Sequence, residues 1–151
     1  MDIYTIVLAL HNIIRWVVLI AGLLAAGRAI FSWIMSLPWT QTDNNTGLFF
    51  TTSVDIQVLL GLVLYIFLSP FTEVAFADFG VAMGDDNLRY WAVEHIALMI
   101  GVLFLVHGGR VISKRQAEDK RKHMWAAIMY TLAFIVLLAG MPWFRPLLPS
   151  F

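Results

Sequence analysis

Four apolar runs, Ile13 to Ser32, Leu48 to Leu68, Trp91 to Ile112 and Trp125 to Met141, take up most of a 151-residue chain. Each is close to the ~20 residues that cross the ~30 Å hydrocarbon core of a bilayer, the last a little short. A chain inside lipid must satisfy its backbone polar groups internally, so runs of this length fold as helices. The expected fold is therefore all-α: a four-transmembrane-helix bundle forming one domain over residues 1–151. Composition agrees, with 60% hydrophobic and 13% charged residues and a mean hydropathy of +0.79, too apolar for a soluble domain of this length. The start, Met1-Asp2-Ile3-Tyr4, lacks a basic segment, and the apolar run after it is too long and holds Arg15; a retained helix is expected rather than a cleaved signal.

Formal net charge is zero and there is no cysteine. Nucleic acid is thus not an expected partner, and disulfides, thiolate metal sites, iron–sulfur ligation and covalent c-type haem attachment are excluded. A metal here would be held by His, Met or carboxylate.

Charge placement predicts orientation. Five of the ten basic residues fall in the stretch Ser113 to Lys122, between the third and fourth runs. The positive-inside rule makes that loop cytoplasmic, and anionic lipid headgroups suit it. The connection from Ser69 to Asn87, with Glu73, Asp78, Asp85 and Asp86, then lies outside, and both termini with it. Leu37 to Gly47 reads as a polar turn between aromatic anchors Trp33 and Trp39. Thr72 to Met83 is expected as a short surface helix whose Val74, Phe76, Phe79 and Met83 share an apolar face. Pro142-Trp143-Phe144-Arg145-Pro146 reads as an interfacial anchor.

This threading puts His11 near the outer end of the first helix and His95 about one turn below the outer end of the third. Two imidazoles at one depth on separate helices are what axial ligation of a membrane haem requires, and bundles build such sites from inward-facing side chains. Arg15, four residues from His11, shares its face and would pair with a propionate. Gly22, three turns further on, would let a flat ring approach the backbone. Met99 shares the His95 face, and Glu94 precedes His95. His107 and His123 belong to the opposite leaflet; His107 is rotated about a third of a turn from His95, and His123 follows the charged loop and is expected to be solvated. Hydrogen-bonded or interfacial histidines with no ligand role are the plain alternative for all four, and a Glu94–Arg15 pair the plain alternative for those two.

Asp55 and Gln57 form a second polar cluster, on the second helix. Asp55 is the costliest residue in that span and is expected to face the bundle interior, with Arg28, His107 or Arg110 as its partner. A proton or quinone site at Asp55, Gln57 and Glu94, with a carboxylate accepting the proton beside a quinone headgroup, is the functional alternative to a structural ion pair.

The ordered motifs His11-Asn12-Ile13-Ile14-Arg15-Trp16, Gly47-Leu48-Phe49-Phe50-Thr51, Asp55-Ile56-Gln57-Val58-Leu59-Leu60-Gly61, Asp78-Phe79-Gly80, and Arg89 through Glu94-His95 to His107-Gly108-Gly109-Arg110 span nearly the whole chain. Together they resemble a family of short bacterial four-helix membrane proteins labelled cytochrome b-like. The resemblance implies b-type haem and respiratory or photosynthetic electron transfer in the bacterial cytoplasmic membrane, with His11, His95 and His107 as ligand candidates. Described cytochromes b carry stacked histidines on two helices, a pattern this chain does not repeat. The leading expectation is an electron-transfer subunit with haem b between His11 and His95, partnered by quinol or by other membrane subunits. The alternatives are a cofactor-free accessory subunit, whose histidines would also suit a chlorophyll magnesium, and a quinone-binding subunit. A stand-alone enzyme is the weaker expectation.

Overall fold

A computed structural model describes residues 2–143, and every regular element among them is helical. Helix α1 runs Ile3–Ile34, capped at its start by Asp2, whose carboxylate accepts from the Thr5 N–H at 2.8 Å. Its far end closes in a left-handed turn at Ser36 (φ 50°), where Leu37 N–H reaches back to Ser32 O. Helix α2 spans Gln41–Val63 and continues as a wider π-type turn over Leu64–Leu68. Three short helices follow: α3 (Pro70–Ala77), α4 (Phe79–Gly84) and α5 (Asp86–Arg89). A second π-type turn, Tyr90–Glu94, leads into α6 (His95–Lys114), and α7 covers Asp119–Ala139. Four helical stretches, 3–34, 41–68, 86–114 and 119–139, are long and apolar enough to cross a membrane.

The long helices close in the cyclic order α1, α2, α6, α7, so α1 and α6 stand diagonally across the bundle. Small residues let them approach: Ala21, Ala25, Ala26 and Ala29 on α1 are buried against Ala126, Ala127 and Ala133 of α7 and against Phe50 and Val54 of α2. With apolar lipid outside, burial gives little drive to helix association, and close packing across small side chains takes over. Gly22 is one such point: a Cβ there would meet Phe134 at 2.9 Å and Phe50 at 3.0 Å. The outside is correspondingly greasy, with Leu23, Phe67 and Phe104 all 60% exposed or more.

Two expectations about the connections are corrected. Most of the supposed polar turn before Gly47 is helix, because Asp43 nucleates it: its carboxylate accepts from Thr40 N–H at 2.8 Å and from Arg28 Nε at 2.8 Å. Trp39 N–H donates to Asp119 at 3.0 Å, which ties this turn to the start of α7 and puts the 34–41 and 114–119 connections at the same end of the bundle. The expected helix over Thr72 to Met83 is instead two, broken at Asp78, whose side chain caps the second by accepting from Val81 N–H. Val74, Phe76, Phe79 and Met83 point outward, and the small residues Ala75 and Ala82 do the packing. Of the expected C-terminal anchor, residues 144–146 lie outside the described residues.

Candidate functional site

His11 and His95, on the diagonal helices α1 and α6, line one cavity in the bundle centre. It has two adjoining lobes of about 110 and 150 Å³, and both histidines, Gln57, Gly61, Tyr65 and Met99 border each of them. One lobe reaches toward the α3 end past Arg15, Trp91 and Thr72; the other runs between α2 and α6 past Val58, Ile96 and Leu103.

The two π-type turns shape this end of the cavity. A π turn shifts the hydrogen-bond ladder by one residue and leaves main-chain oxygens for side chains. Tyr65 Oη donates to Ala92 O at 2.7 Å, joining the first turn to the second, and Thr72 Oγ1 donates to Tyr65 O at 2.8 Å, fastening α3 over them. π-type turns recur at functional sites because they re-aim side chains, and here Leu64, Tyr65 and Trp91 from the two turns all line the cavity.

His95 is held through one nitrogen. Its Nδ1 donates to Gly140 O at 2.8 Å, an oxygen that also accepts from Tyr90 Oη at 2.8 Å. An acceptor on Nδ1 sets the tautomer and leaves Nε2 as the lone-pair nitrogen. His11 is held by Gln57, whose Nε2 donates to His11 O at 3.0 Å and lies 3.2 Å from His11 Nε2. That leaves two buried polar atoms, His11 Nδ1 and Gln57 Oε1, without a hydrogen bond. Buried polar atoms without partners are costly and concentrate at sites built for something other than stability. One turn further along α2, a Cβ on Gly61 would come 3.2 Å from the His11 ring, tighter than an ordinary contact, so the glycine eases the close approach of α2 to this imidazole. Arg15 is buried and borders the same lobe, its guanidinium 6.0 Å from the Trp16 ring.

Of the residues singled out in the sequence, the fold brings His11, Arg15, Gln57, His95 and Met99 together and separates the rest. Gly22 packs against Phe50 and Phe134 and does not border the cavity. Glu94 pairs with Arg89 at 2.8 Å at the protein surface, not with Arg15. His107 lies outside the cavity and pairs through Nε2 with Asp55 at 2.8 Å. Asp55 therefore does not face the interior as expected. Arg28 is taken by Asp43 and Arg110 by Asn44 O, so His107 at the α2–α6 seam is the partner left at reach, and the pair remains half exposed. His123 is corrected too: it is fully buried against Trp39, ring centroids 4.9 Å apart, because the Trp39–Asp119 link folds the turn over the start of α7.

Tyr65, Tyr90, Gly61 and Gly140 are site residues that the sequence did not single out. Gly140 acts through its carbonyl, which carries no side-chain signal at all. Gly61, six residues after Asp55 in a polar-motif run, was the one of the four with a visible cue.

Comparisons with known protein families, with curated proteins and with solved structures find no match.

Proposed function

We propose that this chain is a small membrane electron-transfer subunit that carries one b-type haem in the central cavity, with His11 and His95 as its axial ligands. The observation that carries the reading is that two imidazoles from diagonal helices line one partly open cavity, with an arginine on the wall of one of its lobes. A haem held by two histidines takes up and releases single electrons with no open coordination position.

The chain's own residues would serve it in distinct ways. Gly140 O orients His95 and makes it a stronger donor. Gln57 would hold His11 through its main-chain oxygen, with the amide contact to His11 Nε2 giving way to the iron. Arg15 supplies the positive charge for a propionate. The apolar walls keep water away and so raise the weight of each polar contact on the potential. Both termini lie outside and the basic turn inside a bacterial cytoplasmic membrane, with quinol or other membrane subunits as electron partners.

The test is an absorption spectrum of natively purified protein, oxidised and dithionite-reduced. A low-spin haem b spectrum is expected, lost in His95→Ala and His11→Ala. Purified protein without a haem band overturns the reading.

A second reading rests on the apolar lobe between α2 and α6, lined by Val58, Leu62, Ile96, Ile100 and Leu103. It would suit a quinone tail with the headgroup at His95. Solvent-extractable quinone in a preparation free of haem would select it, and neither ligand would select a cofactor-free accessory subunit.

A further inference from the structure

Asp55 and His107 form a contact that a lone bundle in lipid cannot easily support. Asp55 lies 14 residues, about 21 Å, beyond the start of α2, and His107 seven residues, about 10 Å, before the end of α6. Both are inside stretches long and apolar enough to span a membrane, yet their side chains are 40% and 49% exposed. Ionisable groups at membrane depth face a bundle interior or a water-filled cavity because exposure to hydrocarbon is expensive. This pair does neither: it lies outside the central cavity, on the outer seam between α2 and α6. Its neighbours on that surface are Leu48, Thr52 and Leu59 of α2 and Ile100, Phe104 and Val111 of α6, all exposed.

We propose that this seam is the interface at which two copies of the chain associate side by side in the membrane about a two-fold axis. The argument is the self-complementarity of the pair. The contact within one copy uses Asp55 Oδ1 and His107 Nε2. Asp55 Oδ2 and His107 Nδ1 make no hydrogen bond among the described residues. One patch thus presents a leftover carboxylate oxygen next to a leftover ring nitrogen. A two-fold axis places like patches face to face in reversed order, so that Asp55 of one copy meets the partner's His107, and the reverse. With each imidazole carrying both ring protons, so that Nε2 donates within its own copy and Nδ1 donates to the partner, four groups are then satisfied without any other chain, inside an apolar surround where charge-assisted hydrogen bonds are strong. Exposed Phe104 and Leu59 flank the pair on either helix and supply the packing that holds membrane helices together. The inference does not depend on which group occupies the central cavity.

The absence of cysteine from the sequence makes the test clean. Phe104→Cys, beside the pair and 72% exposed, is compared with Leu23→Cys on α1 and Ile135→Cys on α7, 60% and 55% exposed. Each full-length variant is oxidised in the native membrane and its mass read on a non-reducing gel. Phe104→Cys is expected to give a disulfide-linked species of twice the 17.1-kDa chain mass, and the other two to stay single. Adding Asp55→Leu and His107→Leu to Phe104→Cys replaces the pair by side chains at home in lipid, and the linked species should fall to the level of the α1 and α7 variants. The proposal is overturned if Phe104→Cys stays single, links to a chain of another mass, or links no better than the two controls, or if the doubled leucine substitution leaves the linked species unchanged.

Discussion

Gln57→Leu isolates the contact on which the central site depends. Gln57 is buried, and its amide nitrogen reaches both His11 O and His11 Nε2. Leucine is close in size and apolar, so in protein prepared free of any bound group it fills the space but leaves His11 Nε2 buried with nothing to bond. An unsatisfied buried group costs about 1–3 kcal/mol. Against that, leucine removes the Gln57 Oε1 atom, which is itself unpaired, and recovers roughly 1 kcal/mol. The His11 carbonyl lies within α1 and keeps its helical acceptor role, so its loss is small. The net is a destabilisation of up to about 2 kcal/mol, which for a chain of this size lowers the thermal midpoint by up to about 8 °C. Thermal unfolding of the purified protein in detergent, followed by circular dichroism, measures it. Gln41→Leu is the control: Gln41 is exposed and bonds only Asn45, and its substitution should stay within about 0.5 kcal/mol. A cycle with His11→Leu completes the test. Once the imidazole is gone there is no orphaned nitrogen, so the double variant should recover most of the Gln57→Leu loss, a coupling of about 1 kcal/mol. If the two losses simply add, to within ~0.3 kcal/mol, Gln57 and His11 are not an energetic unit and the account of how His11 is held fails.

Other expectations come from single contacts elsewhere in the bundle. Gly47→Ala would set a Cβ 2.5 Å from the Tyr130 hydroxyl, where that side chain reaches from α7 to the diagonal helix α2, and the overpacking should cost about 1–3 kcal/mol in the same unfolding assay. Tyr65→Phe removes the bond to Ala92 O that joins the two π-type turns; a loss of about 1 kcal/mol is expected, with faster amide exchange confined to the Tyr90–Glu94 turn by mass spectrometry. Arg89→Ala breaks exposed pairs to Asp86 and Glu94 and a bond to Met83 O, and it should shift the thermal midpoint only slightly, with the difference shrinking as salt is raised.

How far the chain could be understood before its structure differs from residue to residue. Hydrophobic run length alone gives the number of long helices, since a segment of that polarity has no other way to satisfy its backbone in lipid. The runs understate the helices, however. Gln41 to Thr46 is polar and reads as a turn, but Asp43 caps it into helix, and this local hydrogen bond carries no hydropathy signal. Arg15 and His11 share a face by spacing, and the structure keeps them on one cavity. Asp55 was assigned by cost alone to the interior. That rule names a requirement for a partner and leaves open where on the helix circumference the partner stands.

What belongs to the sequence by itself is the number of long apolar helices, the shared face of His11 and Arg15, and the exclusion of thiolate chemistry, because these depend only on residue type and on spacing along one element. What belongs to the tertiary structure is the rest: that α1 and α6 are diagonal, that Gln57 and the Gly140 carbonyl hold the two imidazoles, that His123 is buried, and that Asp55 meets His107 on the outer seam. Each of these is a contact between elements far apart in the chain. The rotation of one helix about its axis relative to another decides it, and periodicity within a single helix carries no information about that angle.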